Sequence, residues 1–184
     1  MEGITNGFRI TDEDMKVQIT QVKKHESAIA PQNKPVVERQ IKAQIEQDNY
    51  IIASKKPAIV SSFGQSVPKA DGSTRIIHDG SLPEDLATND YAVRYKTTQD
   101  ACRMAKQGYH CAKLDLKSAY RSMPVHPDNY KATGLAWRFE GDDSDTFLFD
   151  ARLPFGLACG PSPLSRSSDT IGRIMHKKRV HRGH

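Results

Sequence analysis

The chain has 184 residues, 37% of them hydrophobic, which suits one domain or two small lobes sharing a core and excludes a disordered polymer; a domain of this size buries about 70% of its unfolded surface. No stretch approaches the ~20 apolar residues of a membrane span. Of the net charge of +5, all lies at the end: residues 166–184 hold six of the 27 Lys and Arg but only one of the 22 Asp and Glu, so the preceding residues balance, and the basic tail reads as a nucleic-acid footprint or as a solvated helix end.

Residues 1–30 alternate polar and apolar side chains weakly, have no apolar run behind a basic end that would mark a secretory leader, and predict an extension with one strand at 16–22. From Pro35, VVERQIKAQIEQDNY sets Val36, Val37, Ile41 and Ile45 on one face of an amphipathic helix that turns its stripe to the core. Two β-rich runs, 58–67 and 74–78, flank a segment with Asp71-Gly72, where glycine's tolerance of positive φ signals a hairpin. Lys69 and Arg75 sit where the tip meets the strands, and taken alone they are ordinary exposed cations. Residues 80–97 carry turn formers and little periodicity. Thr97 or Thr98 then caps a helix with Asp100 in its first turn, Ala101, Met104 and Ala105 as its buried stripe, and Gly108 at its end.

In CAKLDLKSAYRSMPVH at 111–126, Ala112, Leu114 and Leu116 alternate with Lys113, Asp115 and Lys117, the period of a half-buried strand that turns at Pro124. An isolated acid there would pair with Lys113 or Lys117. KATGLAWRF at 131–139 and TFLFDARL at 146–153 read as an antiparallel pair across the turn GDDSD. LPFGLACGPSP at 153–163 ends the strand and opens a helix, with Pro161 or Pro163 in its first turn and Leu164, Ile171 and Ile174 spaced for one face, running to about Lys178. Cys102, Cys111 and Cys159 are odd in number with no CxxC, which predicts free thiols in a reducing compartment, the cytoplasm or nucleus. His176, His181 and His184 have no Cys or acid at ligand spacing, so a zinc site is not expected. Strands and helices mix without strict βαβ alternation, giving an α+β class.

Three segments in this order, KADGSTRIIHD at 69–79, LDLKSAY at 114–120 and LPFGLACGPSPLS at 153–165, resemble the fingers hairpin, the first palm motif and the template-gripping turn and helix of reverse transcriptases. The PFGL wording and the VHPDN at 125–129 are most similar to retrotransposon enzymes of the gypsy-like and tyrosine-recombinase (DIRS-like) groups. The resemblance runs collinearly over roughly 35–178, and three ordered motifs are far more specific than one. It implies the fingers and partial palm of a right-hand polymerase, an antiparallel sheet packed with helices: an N-terminal extension at 1–30, fingers at 31–97, partial palm at 98–178 and a basic tail at 179–184.

The implied reaction adds a deoxynucleotide to a primer, an in-line phosphoryl transfer governed by positioning and charge neutralisation, with two Mg²⁺ (or Mn²⁺) ions about 3.5–4 Å apart. By resemblance, Asp115 is the catalytic carboxylate and first metal ligand, with the Leu116 carbonyl an additional ligand. Lys69 and Arg75 contact the triphosphate as a point cation and a bidentate guanidinium, and the backbone N–H groups of Leu116, Lys117, Ser118 and Ala119 meet it too. Tyr120 lies under the sugar, where a flat ring leaves no room for a 2′-hydroxyl, and Phe155 and Gly156 lie near the templating base and primer. Many retroviral relatives carry Gln where Phe155 stands.

The implied partners are an RNA template, a DNA primer and deoxynucleoside triphosphates, with no membrane. The family's aromatic-x-Asp-Asp motif, thumb, connection and RNase H segments are not among these residues, so the chain alone is expected to be inactive. The rival expectation is a decayed or co-opted, non-catalytic nucleic-acid-binding module. A viral RNA-templated RNA polymerase is a remoter third, because Gly141-Asp142-Asp143 spells that family's metal triplet but precedes PFGL, lacks apolar strand residues on both flanks and reads as a turn.

Overall fold

A computed structural model describes residues 2–11, 29–69, 74–79, 97–108, 115–157 and 161–180. Helix α1 spans Glu2–Asn6, α2 Lys34–Glu46, α3 Thr98–Met104 and α4 Pro161–Val180. Strands β1 (Tyr50–Ile52), β4 (Gly134–Trp137) and β5 (Thr146–Asp150) form a three-stranded antiparallel sheet in the order β1-β5-β4, and β2 (Phe63–Pro68) and β3 (Thr74–His78) form a separate hairpin. The class is α+β.

The i, i+4 spacing read in α2 is its buried face: Val37 and Ile41 are fully buried and Ile45 packs against the same cluster, while Lys42 and Glu38 pair at 2.8 Å on the outer side. In the sheet, Tyr50 faces Asp150 and Leu135 faces Leu148. Strand alternation therefore gathers Tyr50, Leu148 and Leu135 into the core that also takes α2. Phe63, at the root of the hairpin, stands edge-on to Trp137 with ring centroids 5.5 Å apart, which seats the hairpin on the sheet. A second cluster, around Ile10, Ile59, Met123, Val125, Leu153 and Leu157, lies under the 153–157 turn and receives Leu164 of α4.

Several elements depart from expectation. Residues 2–11 are built into the second core instead of extending from it. Phe8 pairs with Val125, its N–H donating to the Pro124 carbonyl at 2.8 Å and its carbonyl accepting from the His126 N–H at 3.0 Å. The buried Asn129 side chain accepts from the Ile10 N–H at 2.8 Å and donates to Thr11 Oγ1 at 2.7 Å. The strand expected at 16–22 lies outside the described residues, as do Asp71-Gly72 and most of 80–97. Within 58–67, only the part from Phe63 joins the hairpin. Ser61 pairs with β4 in parallel, its N–H donating to the Gly134 carbonyl at 2.8 Å, and Gly134 carries no side chain where the Ile59 carbonyl and Pro57 already sit.

The start of the 131–139 run is a 3-10 turn, Pro127–Ala132, and β4 begins only at Gly134. Helix α3 opens on the expected cap: Thr97 Oγ1 accepts from the Asp100 N–H at 3.2 Å and the Asp100 carboxylate accepts from the Thr97 N–H at 2.9 Å. Its expected stripe is corrected, because Ala101 and Ala105 are exposed and the helix stops at Met104; alanines offer too little apolar area to hold a seven-residue helix on a core. In α4, Leu164 and Ser167 face the body, whereas Ile171 and Ile174 are exposed. Gly141-Asp142-Asp143 forms the exposed turn the sequence predicts, closed by Arg138 and Asp145 at 2.9 Å. Cys102 is a free, exposed thiol, and Cys111 and Cys159 lie outside the described residues. Among the described residues, no helix is long and apolar enough to cross a membrane.

Candidate functional site

The hairpin meets the 153–157 turn through β3. The His78 N–H donates to the Phe155 carbonyl at 2.7 Å and the Asp79 N–H to the Ser62 carbonyl at 3.0 Å. Gly156 sits at φ +116, and a Cβ there would run into the His78 carbonyl; only glycine tolerates both the conformation and the approach. Arg75 shares its strand face with Ile77, whose Cγ2 lies beside Gly156. The Arg75 guanidinium lies over the Phe155 ring, 4.6 Å from its centroid, and the Phe155 ring lies 4.4 Å from that of Tyr120 at an interplanar angle of 41°. Three of the residues singled out in the sequence thus stack together from three separate elements.

Asp115, Leu116, Lys117 and Ser118 line an exposed turn that leads into Tyr120 through half-buried Ala119. The turn is tight: the Ser118 carbonyl accepts from the Ser122 N–H at 3.1 Å, the Ala119 carbonyl accepts from Ser122 Oγ at 2.6 Å, and Ser118 adopts φ +52. A non-glycine residue in that region costs on the order of 1 kcal/mol. Leu116 leaves 44% of its surface in water. The strand expected through Asp115 and Leu116 is corrected in its described part, where 115–119 run as coil and turn; its start at 111–114 lies outside the described residues. Lys69 is exposed just past β2, and among the described residues neither it nor Asp115 makes a hydrogen bond or ion pair.

The support beneath this group escaped the sequence reading. Asp150 is 1% exposed at the end of β5, and Arg121, next to Tyr120, reaches both its oxygens through one nitrogen at 2.7 and 2.6 Å. Arg121 also donates to Gln44 Oε1 of α2 at 3.1 and 2.9 Å and lies over the Tyr50 ring. The Arg152 N–H adds a further bond to Asp150 at 3.0 Å. Burial pushes the Asp150 carboxyl up to about 6, outweighing the pull of Arg121 in the opposite direction. Burial and the Asp150 charge likewise raise the Tyr50 phenol. The available signal was the inward register of Leu148 and Asp150, two apart in TFLFD, which puts an acid on a buried face.

His78 is the other missed group. It is 4% exposed, among the described residues neither ring nitrogen has a hydrogen-bond partner, and burial holds it down to about 4, so the imidazole is neutral at pH 7.

The described residues by themselves do not complete a two-ion centre. Among the described residues no three His, Cys, Asp or Glu side chains converge, the Asp150 oxygens are taken by Arg121, and Asp115 with one carbonyl falls short of the several hard oxygen ligands that Mg²⁺ takes.

No family model and no curated protein matches the chain. Among solved structures it is similar to a foamy viral protease-reverse transcriptase in complex with double-stranded DNA, with a TM-score of 0.62 and 19% identity over 81% of this chain and 24% of that one. It is similar also to the native prototype foamy virus protease-reverse transcriptase, with a TM-score of 0.59 and 18% identity over 84% of this chain and 19% of that one. The chain therefore spans about a quarter or less of the length of these relatives and has a reverse transcriptase-like fold.

Proposed function

We propose that the chain is the fingers and first part of the palm of an RNA-directed DNA polymerase of a gypsy-like or DIRS-like retrotransposon, working in the cytoplasm or nucleus. The observation that carries this reading is the Arg75–Phe155–Tyr120 stack, which unites the three motifs on which the resemblance rests. In it, Lys69 and Arg75 receive the triphosphate, the N–H groups of Leu116 to Ala119 add donors to the same anion, and Tyr120 lies under the sugar and excludes a 2′-hydroxyl. The left-handed Ser118 supports this, since backbone strain gathers at binding sites.

Phe155 and Gly156 face the templating base, and an RNA template paired to a DNA primer is held through its backbone and shallow groove. Asp115 is the first carboxylate of the catalytic pair of ions. Because one carboxylate does not complete that centre, these residues bind and orient a nucleotide, and the chemistry needs acids from outside them. That incomplete donor set also favours a second reading, a non-catalytic nucleic-acid-binding module with the basic 166–184 stretch as its footprint.

Primer extension on an RNA template in Mg²⁺ or Mn²⁺, with the complete reading frame that contains this chain, separates the two. Under the polymerase reading, Asp115→Asn abolishes extension while sparing template binding, and Tyr120→Ala admits ribonucleotides. Extension retained by the Asn variant refutes the choice of carboxylate, and salt-sensitive binding without any extension by the parent protein establishes the binding module.

A further inference from the structure

We propose that Phe155 is a positioning residue for the triphosphate, acting through Arg75; this rests on the nucleotide-site reading above. Every N–H donor of a guanidinium lies in its plane. The Phe155 ring, with the Arg75 guanidinium carbon 4.6 Å from its centroid, attracts the cation without offering it an acceptor oxygen, so the donors turned away from the ring stay available to phosphate oxygens. The ring's negative face attracts the cation, so a long side chain on an exposed strand position is already restricted before the ligand arrives, and less freedom is lost on binding.

Phe155 can serve as such a rest because its neighbours hold it. Its carbonyl accepts from the His78 N–H at 2.7 Å, Gly156, the next residue, lies against the His78 carbonyl, and the Tyr120 ring packs against the Phe155 ring with centroids 4.4 Å apart. The base of the same strand that carries Arg75 is therefore tied to the backbone of the residue whose ring supports it. Among the described residues Lys69 has no ring in contact, so the effect belongs to Arg75 of the two hairpin cations.

The test is the affinity of the protein, in its complete reading frame, for thymidine mono-, di- and triphosphate with Mg²⁺, measured by calorimetry. Phe155→Leu keeps an apolar side chain but removes the ring face. It should weaken triphosphate binding roughly two- to fivefold, the equivalent of one exposed cation–π contact, and weaken monophosphate binding by less. Phe155→Tyr and Phe155→Trp should restore it, and Arg75→Ala with Phe155→Leu should bind no worse than Arg75→Ala alone. Equal weakening of mono- and triphosphate, or additive losses in the double variant, would overturn the proposal while leaving the nucleotide reading standing. A parent protein that binds no triphosphate would overturn both.

Discussion

Replacing Arg121 by alanine strands the Asp150 carboxylate. The acid is 1% exposed and the guanidinium 23%, so both charges are largely out of water; unit charges about 4 Å apart at an effective dielectric near 20 attract by about 4 kcal/mol, and leaving one partner of a buried pair uncompensated costs about 3–5 kcal/mol. Set against a total of about 5–15 kcal/mol for a domain, that loss brings the variant close to unfolding at pH 7.

The loss is also pH-dependent, with a definite sign. Burial raises the folded-state carboxyl to about 6 from its ordinary value of 3.8, so its contribution to stability is fully present below 3.8 and is lost as pH rises through about 6. Without Arg121 the carboxyl rises further, and the difference between parent and variant is greatest at pH 7 and shrinks toward pH 4.5, where Asp150 takes up a proton. Urea unfolding followed through the single tryptophan, buried Trp137, measures both quantities. Adding Asp150→Asn to Arg121→Ala should recover much of the loss. A cost below about 1 kcal/mol at pH 7, or one that does not change between pH 7 and 4.5, would refute the argument that this pair is desolvated.

His78 carries the opposite linkage: its folded-state value of about 4 lies below the ordinary value of 6.5, so stability is present above 6.5 and is lost as pH falls toward 4, by up to about 3 kcal/mol. His78→Leu removes two unpartnered polar atoms and should stabilise the chain at pH 7 by about 1 kcal/mol and abolish that acid loss in the same urea titrations; a destabilised variant would mean the imidazole has a partner. Gly156→Ala forces a side chain into the His78 carbonyl at φ +116 and should cost about 1–3 kcal/mol, with faster amide exchange across β2 and β3. Gly172→Ala, in open space on α4, should instead stabilise by up to about 1 kcal/mol, and parity between the two substitutions would remove the case for a close approach at Gly156.

What could be read in advance was what depends on near neighbours. The i, i+4 stripe of α2, the Thr97–Asp100 cap and the GDDSD turn each follow from residues within a few positions of one another, and each is where the sequence puts it. Tyr120, Arg75 and Phe155 could be singled out only through a resemblance of their ordered segments to known motifs; neither periodicity nor composition says that three residues so far apart would come together. The errors share a cause. Residues 2–11 carry no amphipathic period because they are held by backbone pairing to Val125 and by the Asn129 side chain, and strand-like pairing of a lone segment leaves little trace in its own side chains.

Asp150 was passed over for the same reason. An acid ending TFLFD looks like the polar stop of a strand until the pairing with Tyr50 and the alternation from Leu148 turn it inward, where Arg121, 29 residues away in the chain, meets both its oxygens and the Arg152 N–H adds a third bond. That arginine directly follows Tyr120. The ion pair beneath the sheet therefore ties the turn bearing Tyr120 to β5 and α2. Loosening it by substitution should disturb the aromatic stack as well as the fold, linking the stability of the core to the geometry of the candidate site.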